Sequence, residues 1–234
     1  MTVRIVPDGD ADEALWRTTL EVADLLGELP WVLIGAQMIR LLELEHGRRS
    51  GRSTVDVDVI VDVRVLVDVT RSAANRLHAA GFELSAEHPY RFVRGRDQVD
   101  VLAPDGLGAR ADLTTIPPLS TTGIPGGTRA LETRRMVRVE VVGIGAREIP
   151  VPTLAGALVA KLRAHAARRE QRDLADLVRL LGLVDDLDEV RSHLRPRERR
   201  DLGSIASLRD ASNAVWSAAA DPDEARAAFA RLSD

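Results

Sequence analysis

The chain has 234 residues, 45% hydrophobic and 29% charged, enough to bury a sizeable core in one domain or two and too apolar for a disordered polymer. It contains no cysteine, which excludes a disulfide framework or thiolate metal site, and its 3% aromatic content argues against a platform that stacks several bases. A formal net charge of −4 argues against a nonspecific nucleic-acid coat, and the lack of a signal-like segment or of an apolar span of about 18 residues leads us to expect a cytoplasmic chain with no membrane association.

Residues up to Asp12 read as a loose arm and Glu13 to Leu26 as a helix. Trp31 to Ala36 is a continuous apolar run, suited to a strand buried on both faces. It meets Gly35, after which Gln37 to Glu45 presents a broad helical face through Met38, Ile39, Leu41, Leu42 and Leu44, closed by His46-Gly47. A glycine at the mouth of that helix would let a phosphate approach backbone N–H groups at its positive end. A basic loop follows, with Arg48, Arg49 and Arg52.

The next segment carries most of the functional information. Residues 52 to 61 read Arg-Ser-Thr-Val-Asp-Val-Asp-Val-Ile-Val. Strand alternation sends Val55, Val57 and Val59 to one face and Thr54, Asp56 and Asp58 to the other. Two like charges on one face repel and lose hydration, so they need a counter-charge. Mg²⁺ (or Mn²⁺) suits them, being a hard cation that takes carboxylate oxygen and keeps positions for phosphate. The alternative is an edge strand whose solvated face carries two acids.

Thr70 to Ala80 reads as a helix ending at Gly81. Residues 90 to 103 read as two short strands turning near Gly95 to Asp97. Asp100 lies between Val99 and Val101 and so faces away from them, either as a third site carboxylate or as a solvent-facing strand acid. Asp97 and Asp105 read as turn residues without a role. Residues 105 to 128, rich in Gly, Pro and Thr, read as an extended loop. Their glycines do not make a phosphate loop, because prolines remove donors and no helix clearly follows. Arg135 to Gly143 and Arg147 to Val151 pair as a hairpin.

From Leu154 onward the chain reads as helical. Every basic residue is arginine except Lys161. A single lysine in such a chain marks a place where a compact ammonium serves and a planar guanidinium does not, or else it is a chance survivor of arginine bias. In one unbroken helix Lys161 and Asp173 would stand ~18 Å apart at ~1.5 Å per residue. A break in the charged stretch 168–172 is therefore expected, with Asp173 near the start of a second helix. Asp173 falls inside the stripe of Leu174, Leu177 and Leu180, where a carboxylate must be paired or used by a site, unless it serves as a helix-dipole acid. Asp176 and His165 read as structural.

Taken together, Ile34-Gly35-Ala36, His46-Gly47, Arg52-x-Thr54-x-Asp56-x-Asp58, Val99-Asp100-Val101-Leu102 and the block from Ala157 through Lys161 to Leu177 resemble the nucleotidyltransferases with a DNA-polymerase-β-like fold, and within them the AbiEii/MenT branch of toxin-like enzymes. The matching pieces lie between residues 31 and 181. The resemblance implies an α/β (α+β) fold, with a mixed sheet and flanking helices over residues 1–150 and a helical subdomain over 151–234 that completes the cleft. It also implies a Mg²⁺-dependent transfer of a nucleoside monophosphate from an NTP to an acceptor hydroxyl. Asp56, Asp58 and Asp100 are then the metal ligands, and Asp173 positions Lys161 or Arg52. Gly35, Ala36, Arg52, Thr54 and Lys161 line the nucleotide. An RNA acceptor, such as a tRNA 3′ end, and a cognate antitoxin are further implications. The chain departs from the family at Ala36, where Gly, Ser or Thr is usual; the missing hydroxyl removes one phosphate hydrogen bond and bears on nucleotide affinity or activity.

Other classes remain open on the residues alone. They are a non-catalytic nucleotide- or RNA-binding protein that retains the fold, an interaction protein whose acids are merely solvated, and a phosphotransferase acting on a protein or small-molecule hydroxyl.

Overall fold

Valine-rich alternation becomes sheet and leucine stripes become helix in the computed structural model, which describes residues 2–49, 54–109 and 111–234. The first half contains β1 (Thr2–Ile5), α1 (Asp10–Leu26), β2 (Trp31–Ile34), α2 (Gly35–Glu45), β3 (Asp56–Val61), α3 (Val69–Ala79), β4 (Glu83–Leu84), β5 (Arg91–Arg94) and β6 (Asp97–Pro104). Then come β7 (Gly123–Ile124), α4 (Gly127–Glu132), β8 (Arg134–Val141) and β9 (Gly145–Pro152). The remainder is helical: α5 (Leu154–Arg168), α6 (Gln171–Leu181), α7 (Leu187–His193), α8 (Pro196–Gly203), α9 (Ala206–Arg209), a 3-10 turn (Ala214–Ala218) and α10 (Pro222–Ser233). The fold is mixed α/β, as expected.

The main sheet runs β2-β3-β6-β5-β4, with β7 added to β6. β3 and β6 are parallel, while β2 and β5 flank them antiparallel. A second sheet, β1-β8-β9, holds the expected hairpin, with Val137, Val139 and Val141 buried and Met136, Arg138 and Glu140 exposed. Val57, Val59, Val99 and Val101 share one buried cluster with Leu158, Leu162, Leu174 and Leu177, so the core continues across residue 150.

Two expectations are corrected. The N-terminal segment is not a loose arm: β1 pairs in parallel with β8, from Thr2 opposite Arg138 to Ile5 opposite Val141. Its Val3-x-Ile5 pattern is too short to read as a strand alone, but the edge of β8 supplies a partner and both side chains are buried. The second correction concerns the glycine loop, because a short helix, α4, does follow it. Gly126 is left-handed (φ 83°), and the N–H groups of Gly126 and Thr128 donate to the two oxygens of Asp105 at 3.0 and 2.9 Å. Asp105, read as a turn residue without a role, therefore caps α4, and these donors are satisfied by the chain's own acid. Hydrogen bonds to these donors hold the Asp105 carboxyl below its ordinary range, outweighing the opposing effect of burial.

The expected helix break is present. α5 ends at Arg168, Arg169 is left-handed (φ 55°), and α6 starts at Gln171. Among the described residues, no helix is long and apolar enough to cross a membrane.

Candidate active site

The parallel pairing of β3 with β6 sets Asp58 directly beside Asp100, and the hairpin register sets Arg91 on the other side of Asp100. One row across the sheet therefore reads Ile34, Asp58, Asp100, Arg91 on β2, β3, β6 and β5. Asp56 lies two residues before Asp58 and on the same face. Asp56, Asp58 and Asp100 each present a carboxylate oxygen, and the three oxygens lie within 4.8 Å of one another. Val57, Val59, Val99 and Val101 point into the core, which explains the alternation, whereas Val55, expected on the same face, precedes β3 and is exposed.

The three acids differ in their partners. Asp100 is buried, and both its oxygens are held by the Arg91 fork: Nε donates to Oδ1 at 2.8 Å and Nη2 to Oδ2 at 2.7 Å. Asp56 accepts from the Thr54 hydroxyl and, at 3.4 Å, from Arg91 Nη2. Asp58 accepts a hydrogen bond from no described residue, although it is partly buried. Burial, followed by the charges of Asp56 and Asp100, pushes its carboxyl up from 3.8 to about 7, against the opposing pull of Lys161 and Arg91.

Gly35 is explained by Asp58. It has φ 71°, and a Cβ there would lie 1.8 Å from Asp58 Oδ2. The turn after β2 brings backbone right up against this carboxylate, which only glycine permits. Ala36 follows in the first turn of α2 and is buried.

Opposite the sheet, α5 and α6 supply the positive side of the site. Lys161 is 9% exposed, and its Nζ lies 2.7 Å from Asp176 Oδ2 and 3.7 Å from Asp173 Oδ1. Asp173 is also gripped by Arg168, whose Nε and Nη2 donate at 2.9 to 3.1 Å. Asp173 and Asp176, one turn apart, face the same way from α6 and hold the ammonium in place. Asp173 thus has the pairing its stripe position demanded. Asp176, read as structural, is the closer partner of Lys161. His165 instead turns toward the Glu170 carbonyl, 3.4 Å from Nδ1.

A cavity of about 580 Å³ lies between the two halves, lined by Gly35, Ala36, Thr54, Asp56, Asp58, Asp100, Lys161 and Asp173 together with Tyr90, Arg91, Arg168 and Arg172. Its size suits a small-molecule ligand of nucleotide dimensions. Of the expected site residues, all but Arg52 are brought to this cavity; Arg52 lies outside the described residues. Sequence reasoning missed Arg91 and Asp176. The first had a signal, since a turn at Gly95-Arg96 pairs 94 with 97 and so 91 with 100.

The donor set fits a hard divalent cation. It is all carboxylate oxygen, closely spaced, and includes one acid with no donor among the described residues. No protein-family model and no curated protein matches the chain.

Proposed function

We propose that the chain is a divalent-cation-dependent nucleotidyltransferase, which moves a nucleoside monophosphate from an NTP to an acceptor hydroxyl and releases pyrophosphate. The observation that carries this function is the meeting of three clustered carboxylates with the molecule's one lysine in a single cavity of nucleotide size. Asp56 and Asp58, with Asp100 behind them, would hold Mg²⁺ or Mn²⁺. When bound, the cation supplies charge neutralisation on the triphosphate.

The remaining work falls to the chain itself. Gly35 leaves room for phosphate oxygens beside the first turn of α2, and Ala36 borders them without a hydroxyl. Lys161 offers a fixed positive charge toward the leaving group, oriented by Asp176 and Asp173. Thr54 orients Asp56, and Arg52, two residues earlier in the sequence, would add positive charge at the phosphates. The acceptor oxygen bonds to the α-phosphorus, the bond from that phosphorus to the β-bridging oxygen breaks, and pyrophosphate carries off its electron pair. The hydroxyl proton passes to a carboxylate of the cluster. The acceptor we favour is an RNA 3′ end, such as that of a tRNA, and a cognate antitoxin would then be a natural partner.

Ala36 favours a second reading, a nucleotide-binding protein without transfer activity, because a hydroxyl is missing at the phosphate turn. Expression of wild type beside Asp58→Ala, with cellular RNA 3′ ends sequenced, separates the two. Added nucleotides that depend on Asp58 are the expected result. Unchanged 3′ ends in both strains would remove RNA as the acceptor and leave binding alone, or phosphotransfer to a protein or metabolite hydroxyl.

A further inference from the structure

We infer that Arg91 is the built-in counter-cation of Asp100, occupying the place a second divalent ion would take, so that the cleft binds one ion per nucleotide. The inference rests on the nucleotidyltransferase function proposed above and narrows it. Two-ion phosphoryl-transfer sites hold their cations roughly 3.5–4 Å apart, bridged by shared carboxylates. Here the third carboxylate of the cluster, which a second ion would need, already carries a cation. Arg91 Nε and Nη2 reach Asp100 at 2.8 and 2.7 Å, and the same Nη2 lies 3.4 Å from Asp56.

Several features make this a fixed arrangement. Arg91 and Asp100 are directly opposed in the β5–β6 ladder, so the backbone register sets the pair. Fork-to-fork pairing engages both Asp100 oxygens, and charge-assisted bidentate bonds are the strong class. The guanidinium remains protonated in proteins, so the compensation does not vary with pH. Burial of Asp100 excludes the water that would otherwise compete for it. Asp58, by contrast, has no donor among the described residues, and Asp56 is only grazed by Arg91. The oxygens open to a cation are thus those of Asp56 and Asp58. Arg91 supplies one positive charge where a second ion would bring two, and it cannot carry an activated oxygen, which makes it a positioning residue.

The test counts ions. Wild type, Arg91→Gln and Arg91→Gln/Asp100→Asn are dialysed against Mn²⁺ and a labelled α,β-methylene NTP analogue, and protein-bound Mn²⁺ is measured per bound nucleotide by electron paramagnetic resonance. The expected ratios are one, two and one. A ratio of two in wild type overturns the inference, and so does a ratio of one in natively folded Arg91→Gln. Should Arg91→Gln fail to fold, the wild-type ratio decides alone. Failure of wild type to bind the nucleotide at all would overturn the nucleotidyltransferase proposal itself, and the inference with it, which separates the two failures.

Discussion

A Cβ at Gly35 would meet Asp58 Oδ2 at 1.8 Å, on a backbone whose φ of 71° already disfavours any side chain. Gly35→Ala therefore adds a left-handed penalty of about 1–2 kcal/mol and also drives the Asp58 carboxylate from its place. The expected outcome is a lowered melting temperature together with at least a roughly tenfold loss of Mn²⁺ affinity, the latter read by titration on folded protein. Unchanged ion affinity would mean that Asp58 does not ligate the ion from this position. Asp58 itself makes stability depend on pH. Its folded pKa is raised from 3.8 to about 7, first by burial and then by Asp56 and Asp100. Below pH ~4 it is protonated in both states and costs nothing. Between pH ~4 and ~7 the unfolded chain releases the proton while the folded chain keeps it, so stability is withdrawn as pH rises. Above about 7 the full penalty stands, on the order of a few kcal/mol at ~1.4 kcal/mol per unit. Asp58→Asn should therefore raise the melting temperature of the metal-free protein more at pH 8 than at pH 4. An equal gain at both values would show that this acid is not perturbed.

At the scale of elements, the helix joint between α5 and α6 decides where the positive charge sits. Arg169 is non-glycine yet left-handed, at φ 55°. Arg169→Gly removes that strain and should stabilise the chain by about 0.5–1 kcal/mol in urea unfolding. Destabilisation would instead point to a contact of the arginine side chain that outweighs its backbone cost. The joint was legible in the sequence because a carboxylate inside a leucine stripe and a lysine too far along one helix required a break. The acidic strand β3 was legible too, since alternation fixes which side chains share a face. Asp176 was not, because its spacing from Asp173 is equally that of an exposed helical acid, and only the packing of α6 on α5 shows which way it points. β1 was lost for a related reason: a four-residue strand owes its existence to the edge it joins, which lies at residues 138–141. α4 was lost because a proline- and glycine-rich approach hides a helix whose start depends on a remote acid, Asp105.

Across the whole molecule, the cavity depends on the sheet and the C-terminal helices being held against one another. Leu158, Leu162, Leu174 and Leu177 belong to the same buried cluster as Val57, Val59, Val99 and Val101. Lys161 and Asp58 are therefore brought to one hollow by apolar packing behind them, while the ionic contacts within the hollow set their orientation. The net charge of −4 gives no general attraction to RNA, so an RNA acceptor must be engaged by local positive groups such as Arg168 and Arg172 at the cavity wall. The most direct test of the proposed chemistry is the fate of labelled phosphorus. Purified protein is incubated with Mg²⁺, total RNA and an NTP labelled at either the α or the γ position, in parallel with Asp58→Asn. Label moving into RNA from the α position only, and absent with Asp58→Asn, is the predicted result. Label transferred from the γ position to any acceptor, or α-labelling that persists without Asp58, would contradict it.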